Sequence, residues 1–233
     1  MKKYFFAFNI LFLSLTLLNY TTFCKAEEII FKSPKHTSSF NYKWVSTETG
    51  KQDVELLFPS DRGAHNPDRS DVIEWSWNKT KSKWAGWGMQ WKGWNKPINF
   101  SSIVKHRFVG EELTSKIAKE FSRCASNFEL QFKVKGYISN SFHKDLLWVK
   151  FDGIGDVPSK EIKFLYYIKD KNGETVELSS ETFHEVKIPL NEFKIIRSRI
   201  NPTRIKQITF GTPTVQKTDG KIYLYDIKIS KIR

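Results

Sequence analysis

The residues best able to do chemistry in this 233-residue chain are its tryptophans. Six of the eight fall within "WSWNKTKSKWAGWGMQWKGW", residues 75–94. An indole fills a core, gives a flat platform to a sugar ring or a base, or anchors a chain at a membrane interface. Strand alternation separates these uses, because every second residue of a strand shares a face. Ile73, Trp75 and Trp77 point one way; Trp87, Met89 and Trp91 share a face opposite Gly86, Gly88 and Gln90. Trp75, Trp77, Trp87 and Trp91 therefore read as core, stacked together if the two strands pair across a turn at Lys79–Lys83. The glycines leave flat steps where a ring or another backbone can lie close. Trp84 and Trp94 sit at strand ends among Lys83, Lys92, Asn95 and Lys96. They read as a shelf for a sugar's CH face, with Gln90 or Asn95 setting its orientation.

Catalytic constellations are weaker. No two of His36, His65, His106, His143 and His184 stand at metal-ligand spacing, and Cys124 lies alone on a predicted helix, so zinc is not expected. There is no nucleophile elbow, phosphate-binding glycine loop or dinucleotide fingerprint. A glycosidase needs two carboxylates roughly 5 to 9 Å apart. Glu74, Asp145, Asp152, Asp156 and Glu161 supply acids, but nothing in the sequence pairs them. A lyase acting on an acidic polysaccharide needs a base and a cation; His143 near Tyr137 and Lys144 offers both.

The elements that must position these residues are mostly strands. Alternation predicts strands over 40–46, 52–58, 71–78, 86–92, 128–135, 145–152, 162–169, 174–179, 183–190, 205–210 and 221–229. Asn172-Gly173 predicts a hairpin turn through its positive φ angles, and Thr218–Lys221 a second turn. Leu113, Ile117 and Phe121 recur at helical spacing within Glu111–Arg123, and 192–199 predicts a turn or short helix. So many short strands with little helix indicate an all-β, two-sheet antiparallel sandwich with one short helical insertion around 111–123.

The N-terminus begins with two lysines and an apolar run from Tyr4 to about Leu18, ending in Cys24-Lys25-Ala26. This predicts a signal peptide over 1–26, and hence a secreted or periplasmic protein with no transmembrane segment after cleavage. Residues 27–37 read as an arm or edge strand and 38–233 as a single domain. The mature chain keeps one cysteine and no internal disulfide, so its core alone must hold it. The formal net charge is +13; without Lys2, Lys3 and Lys25 it is +10 (35 basic against 25 acidic residues). Such a charge favours an anionic partner, an acidic glycan among them. The lysines are scattered, so no nucleic-acid patch stands out.

The order of signals in the C-terminal third, "ETFHEVKIPLNEF" (181–193), "RIKQITFGT" (204–212) and "GKIYLYDIKI" (220–229), resembles the galactose-binding-like β-sandwich modules. It is similar in particular to family 11 carbohydrate-binding modules and to the domain of complex I intermediate-associated proteins. "WAGWGMQW" and "FELQFKVKG" extend the likeness over most of Val72–Ile229. The resemblance implies a jelly-roll sandwich and a polysaccharide or glycan ligand on its concave sheet face. Candidate contacts there are Trp148, Tyr137 and one of Tyr166 and Tyr167, beside Trp84 and Trp94. Many such modules hold a structural calcium through an Asp of the last strand; Tyr225 stands at that position and leaves Asp226, so no cofactor is expected. The resemblance leaves open a polysaccharide lyase or hydrolase on the same sandwich, or an envelope assembly factor that binds protein.

Overall fold

The clearest alternation in the chain runs through "FELQFKVK". Phe128, Leu130, Phe132 and Val134 are buried while Glu129, Gln131, Lys133 and Lys135 are half-exposed, so this strand lies with one face on a core. In the computed structural model the residues described are 27–31, 42–47, 54–57, 72–78, 83–90, 100, 112–139, 144–170, 172–213 and 218–232, with Val45 the one side chain described before residue 54. They form eleven strands. In chain order these are β1 (Glu27–Phe31), β2 (Tyr42–Thr47), β3 (Val54–Leu57), β4 (Ile73–Trp77), β5 (Ala85–Gln90), β6 (Phe128–Ile138), β7 (Trp148–Gly153), β8 (Ile162–Lys163), β9 (His184–Pro189), β10 (Ile205–Thr212) and β11 (Gly220–Lys231). One sheet has the order β3-β4-β11-β6-β9, with β1 paired to the far half of β11; the other has the order β2-β5-β10-β7-β8. Every pairing is antiparallel. The two sheets close on one aromatic core, so the protein is an all-β sandwich.

The tryptophans explain how the sheets meet. β4 and β5 do not pair with each other; they lie in opposite sheets. Trp75 and Trp77 therefore face Trp87 across the sandwich, with Trp75 and Trp87 ring centroids 6.4 Å apart and edge-on. Trp87 stacks on Phe210, its register partner on β10, at 4.7 Å. All three indoles are buried, as the alternation indicated. Opposed sheets let both strands bury their aromatic faces on one core, whereas a hairpin would have placed those faces side by side. Trp91 and Trp94 lie outside the described residues.

The single described α-helix, α1, runs from Ser115 to Ala125. Thr114 caps it, its hydroxyl accepting the Ile117 amide at 3.3 Å. Ile117, Phe121, Cys124 and Ala125 face the core. Cys124 is thus a buried free thiol, as its place behind Phe121 suggested.

Local expectations are adjusted at four places. The run 162–169 is a strand only over Ile162–Lys163, and Phe164–Tyr167 forms a 3-10 turn. Phe164 and Leu165, adjacent apolar residues of that turn, are both buried in the core. Residues 174–179 form no strand; Thr175 makes an isolated bridge to Lys169 while Val176 and Leu178 pack against the core. Among the described residues of 170–174 Gly173 alone has a positive φ, 82°, and the Asp170 carboxylate accepts the amides of Asn172 and Glu174. At the second expected turn, Gly220 is the first residue of β11.

Candidate functional site

On β7, Trp148, Lys150 and Asp152 alternate with buried Val149 and Phe151. On β10, Gln207, Thr209 and Gly211 alternate with Ile208 and Phe210. On β5, Gly86, Gly88 and Gln90 alternate with Trp87 and Met89. The register sets these positions beside one another: Gln90 with Gln207 and Asp152, Gly88 with Thr209 and Lys150, Gly86 with Gly211 and Trp148. Three rungs thus cross the outward face of the five-stranded sheet, polar at one end and glycine-floored at the other. A groove of about 450 Å³ lies over part of this face, lined by Gly86, Trp148, Lys150, Asp152, Gln207 and Thr209 of these rungs and by Trp84, Asp156 and Glu161.

The glycine end seats two indoles. A Cβ on Gly211 would come within 2.1 Å of the Trp148 ring, so that ring lies directly on the Gly211 backbone. A Cβ on Gly86 would come within 3.7 Å of the Trp84 ring. Trp148 is 9% exposed and Trp84 38%. Lys150 Nζ sits 5.2 Å from the centroid of the Trp148 ring, a cation–π contact that steadies it.

The polar end is a continuous hydrogen-bonded row. Gln90 Nε2 donates to Gln207 Oε1 at 3.0 Å, and Gln207 Nε2 donates to Asp152 Oδ2 at 2.8 Å and to Thr209 Oγ1 at 3.2 Å. The Thr209 hydroxyl donates to the same Asp152 oxygen at 2.5 Å, and Lys150 Nζ stands 3.7 Å from Asp152 Oδ1. Gln90, Asp152, Gln207 and Thr209 are all buried. Asp152 is 5% exposed, and several donors satisfy its side-chain oxygens. At the rim, Asp156 holds a left-handed backbone conformation (φ 58°) and accepts from Lys206 at 2.5 Å; Glu161 pairs with Lys163 at 3.9 Å.

The structure brings together Trp84, Trp148 and Gln90 of the residues expected at a site. Trp94 and Asn95 lie outside the described residues, as does His143. Tyr137 is 52% exposed on β6, in the opposite sheet. There it borders a cation–aromatic row on the outward face, where Lys133 lies over Tyr225 and Lys135 over Tyr223 and Phe183. Tyr166 and Tyr167 lie on the 3-10 turn, Tyr166 exposed and Tyr167 packed against the core. Burial pushes the Tyr167 phenol's pKa up, with Glu192 adding to the effect. Asp226 sits in a bulge of β11 at φ 53°, its carboxylate 3.4 Å from Lys228. Among the described residues no three His, Cys, Asp or Glu side chains gather as a metal site.

Lys150, Gln207 and Thr209 were not singled out from the sequence, and Asp152 stood there only as one of five acids with no partner assigned. A signal for them existed: polar residues at every second position of two otherwise apolar strands. That signal says such residues face away from the core, and only the strand order makes them neighbours.

The same arrangement of sheets occurs in solved structures. A family 30 carbohydrate-binding module matches over 89% of this chain and 88% of its own length, with 15% identity and a TM-score of 0.54. The family 30 module of a cellulosomal cellulase of Clostridium thermocellum matches over 89% and 98%, with 16% identity and a TM-score of 0.53. This chain has the β-sandwich fold of those modules. A family 11 module of the same organism, solved with a mixed-linked β-1,3-1,4 tetrasaccharide, matches over 89% and 97% with 10% identity and a TM-score of 0.45. No family model matches the sequence, and no curated protein matches it.

Proposed function

We propose that this protein is a secreted or periplasmic, non-catalytic carbohydrate-binding protein whose glycan lies along the outward face of the five-stranded sheet. One observation carries the reading: the Trp148 indole lies on the bare Gly211 backbone at one end of an open groove whose other end is a pre-bonded row of amide, hydroxyl and carboxylate groups. A sugar ring needs both, an apolar plane for its CH face and fixed hydrogen-bonding groups for its hydroxyls. The solved modules of this fold are named for carbohydrate binding, which supports the assignment.

The groove favours an uncharged stretch of glycan over an anionic one. Among the described residues Lys150 is the one cation lining it and is paired with Asp152, and the lining acids Asp156 and Glu161 pair with Lys206 and Lys163. The expectation of an anionic glycan drew on the charge of the whole chain, and the groove does not share that surplus. Affinity electrophoresis through gels containing neutral or acidic polysaccharides tests the assignment. Retardation on a neutral glycan, abolished in Trp84→Ala/Trp148→Ala, is the expected result. Unretarded migration of the folded protein on every polysaccharide refutes it, and sugar release from any of them refutes the non-catalytic reading.

A further inference from the structure

The surplus positive charge has a different location. On α1, Lys116, Lys119 and Arg123 recur at i, i+3 and i+7, so they form one stripe, opposite the face that buries Ile117 and Phe121. All three are exposed. Beside the helix runs a second, apolar cleft of about 300 Å³, walled by Phe121 and Ala125 on α1 and by Leu190, Ile195 and Ile196 on the segment after β9. Lys194 and Arg197 stand on that segment and line the same cleft. Among the described residues none of these five cations stands in an ion pair, in contrast to the groove lysines. The carboxylates nearest in sequence are Glu112, before the helix, half-buried Glu120, and Glu192, which acts on Tyr167.

An apolar slot lined by Lys194 and Arg197, and walled by a helix whose outer face carries Lys116, Lys119 and Arg123, matches an amphiphile with an anionic head. The cations would meet phosphates and the slot a hydrocarbon segment. A soluble polyanion would use the cations and leave the slot empty, so the combination favours a lipid surface. We propose that this end of the sandwich docks on an anionic phospholipid surface, with headgroup phosphates on the Lys116, Lys119, Arg123, Lys194 and Arg197 side chains and an acyl segment in the cleft. The glycan groove belongs to the outward face of the five-stranded sheet, so this surface is independent of it.

Co-sedimentation of the full chain with vesicles of equal phosphatidylglycerol and phosphatidylcholine, against phosphatidylcholine alone, tests the proposal. The neutral vesicles report whatever the apolar N-terminal run contributes. Each basic side chain near an anionic membrane contributes about 1 kcal/mol, so Lys116→Glu/Lys119→Glu/Arg123→Glu lowers the affinity for the anionic vesicles about a hundredfold. Ile196→Asp, a half-buried position less demanding of the fold, lowers it about tenfold by closing the slot to hydrocarbon. Circular dichroism and thermal unfolding confirm that both variants fold. Equal binding of the parent protein to both vesicles overturns the proposal, as does binding unchanged in the folded variants. Preference for soluble polyglutamate over the anionic vesicles also overturns it, and gives the surface to an acidic polypeptide.

Discussion

Gly211→Ala isolates the seat of Trp148. The β10 backbone at Gly211 is extended and does not lie in the left-handed region, so alanine meets no backbone strain there. The whole effect is steric. The new methyl would stand 2.1 Å from the indole, against about 3.5 Å for ordinary carbon contact, so the ring must retreat by about 1.4 Å. It has somewhere to go, because its other face looks into the open groove. The stability cost therefore falls at the low end of overpacking, about 1 kcal/mol, or about 2–4 °C in Tm for a domain of this size. The effect on binding is larger in proportion. A ring tilted into the groove no longer offers a plane parallel to the sheet, and its loss costs about 1.5 kcal/mol of stacking, roughly tenfold in Kd. Isothermal titration with the glycan identified by affinity electrophoresis measures this. Trp148→Ala supplies the control: in that background Gly211→Ala should change neither Tm nor Kd, so the two substitutions couple strongly. If Gly211→Ala weakens binding equally with and without the indole, the reasoning from Trp148 fails.

The same clash in a closed setting should behave differently. A methyl on Gly220 would stand 2.2 Å from the Trp77 ring, which is 2% exposed, so Gly220→Ala destabilises by about 3 kcal/mol in urea unfolding. Asp152→Asn removes the charge that gathers Gln207, Thr209 and Lys150; it costs about 1–3 kcal/mol of stability and weakens glycan binding, and an unchanged Kd and Tm together would deny the row its role. At alkaline pH three groups act in one direction. Tyr167 is raised by burial, Lys221 by its bond to Glu74 and Lys133 by its bond to Tyr225. A folded pKa above the unfolded one adds stability that is complete below the unfolded value and lost as pH climbs through the folded one. Stability should therefore hold to about pH 10 and fall above it, and less steeply in Tyr167→Phe; chemical denaturation across pH 8–11 reads this.

The alternation in residues 73–77, 85–90, 128–138 and 205–212 was legible because each strand has one face on the core, and burial imposes a period of two on the residue types. It fixed which of Trp75, Trp77 and Trp87 turn inward and that Gly86 and Gly88 turn outward. The helix was legible within a few residues because Ile117 and Phe121 keep helical spacing; Thr114 as its cap was not anticipated. The segment 162–168 misled because apolar composition alone does not distinguish a strand from a 3-10 turn that buries two neighbours at once.

Alternation is a local property, and strand order is not. Nothing in residues 75–87 says that β4 and β5 belong to opposite sheets, because either arrangement buries the same side chains. Tyr137 and Trp148 look alike in sequence, each an aromatic at one end of a strand. Pairing put Trp148 on Gly211 and Tyr137 on the other sheet. The sequence alone determined most of the strands, their inward faces and a surplus of positive charge. The tertiary structure alone decided which outward faces became neighbours, and so where that charge is neutralised and where it stands unpaired, because hydrogen-bond register between distant strands is set by the packing of the whole core.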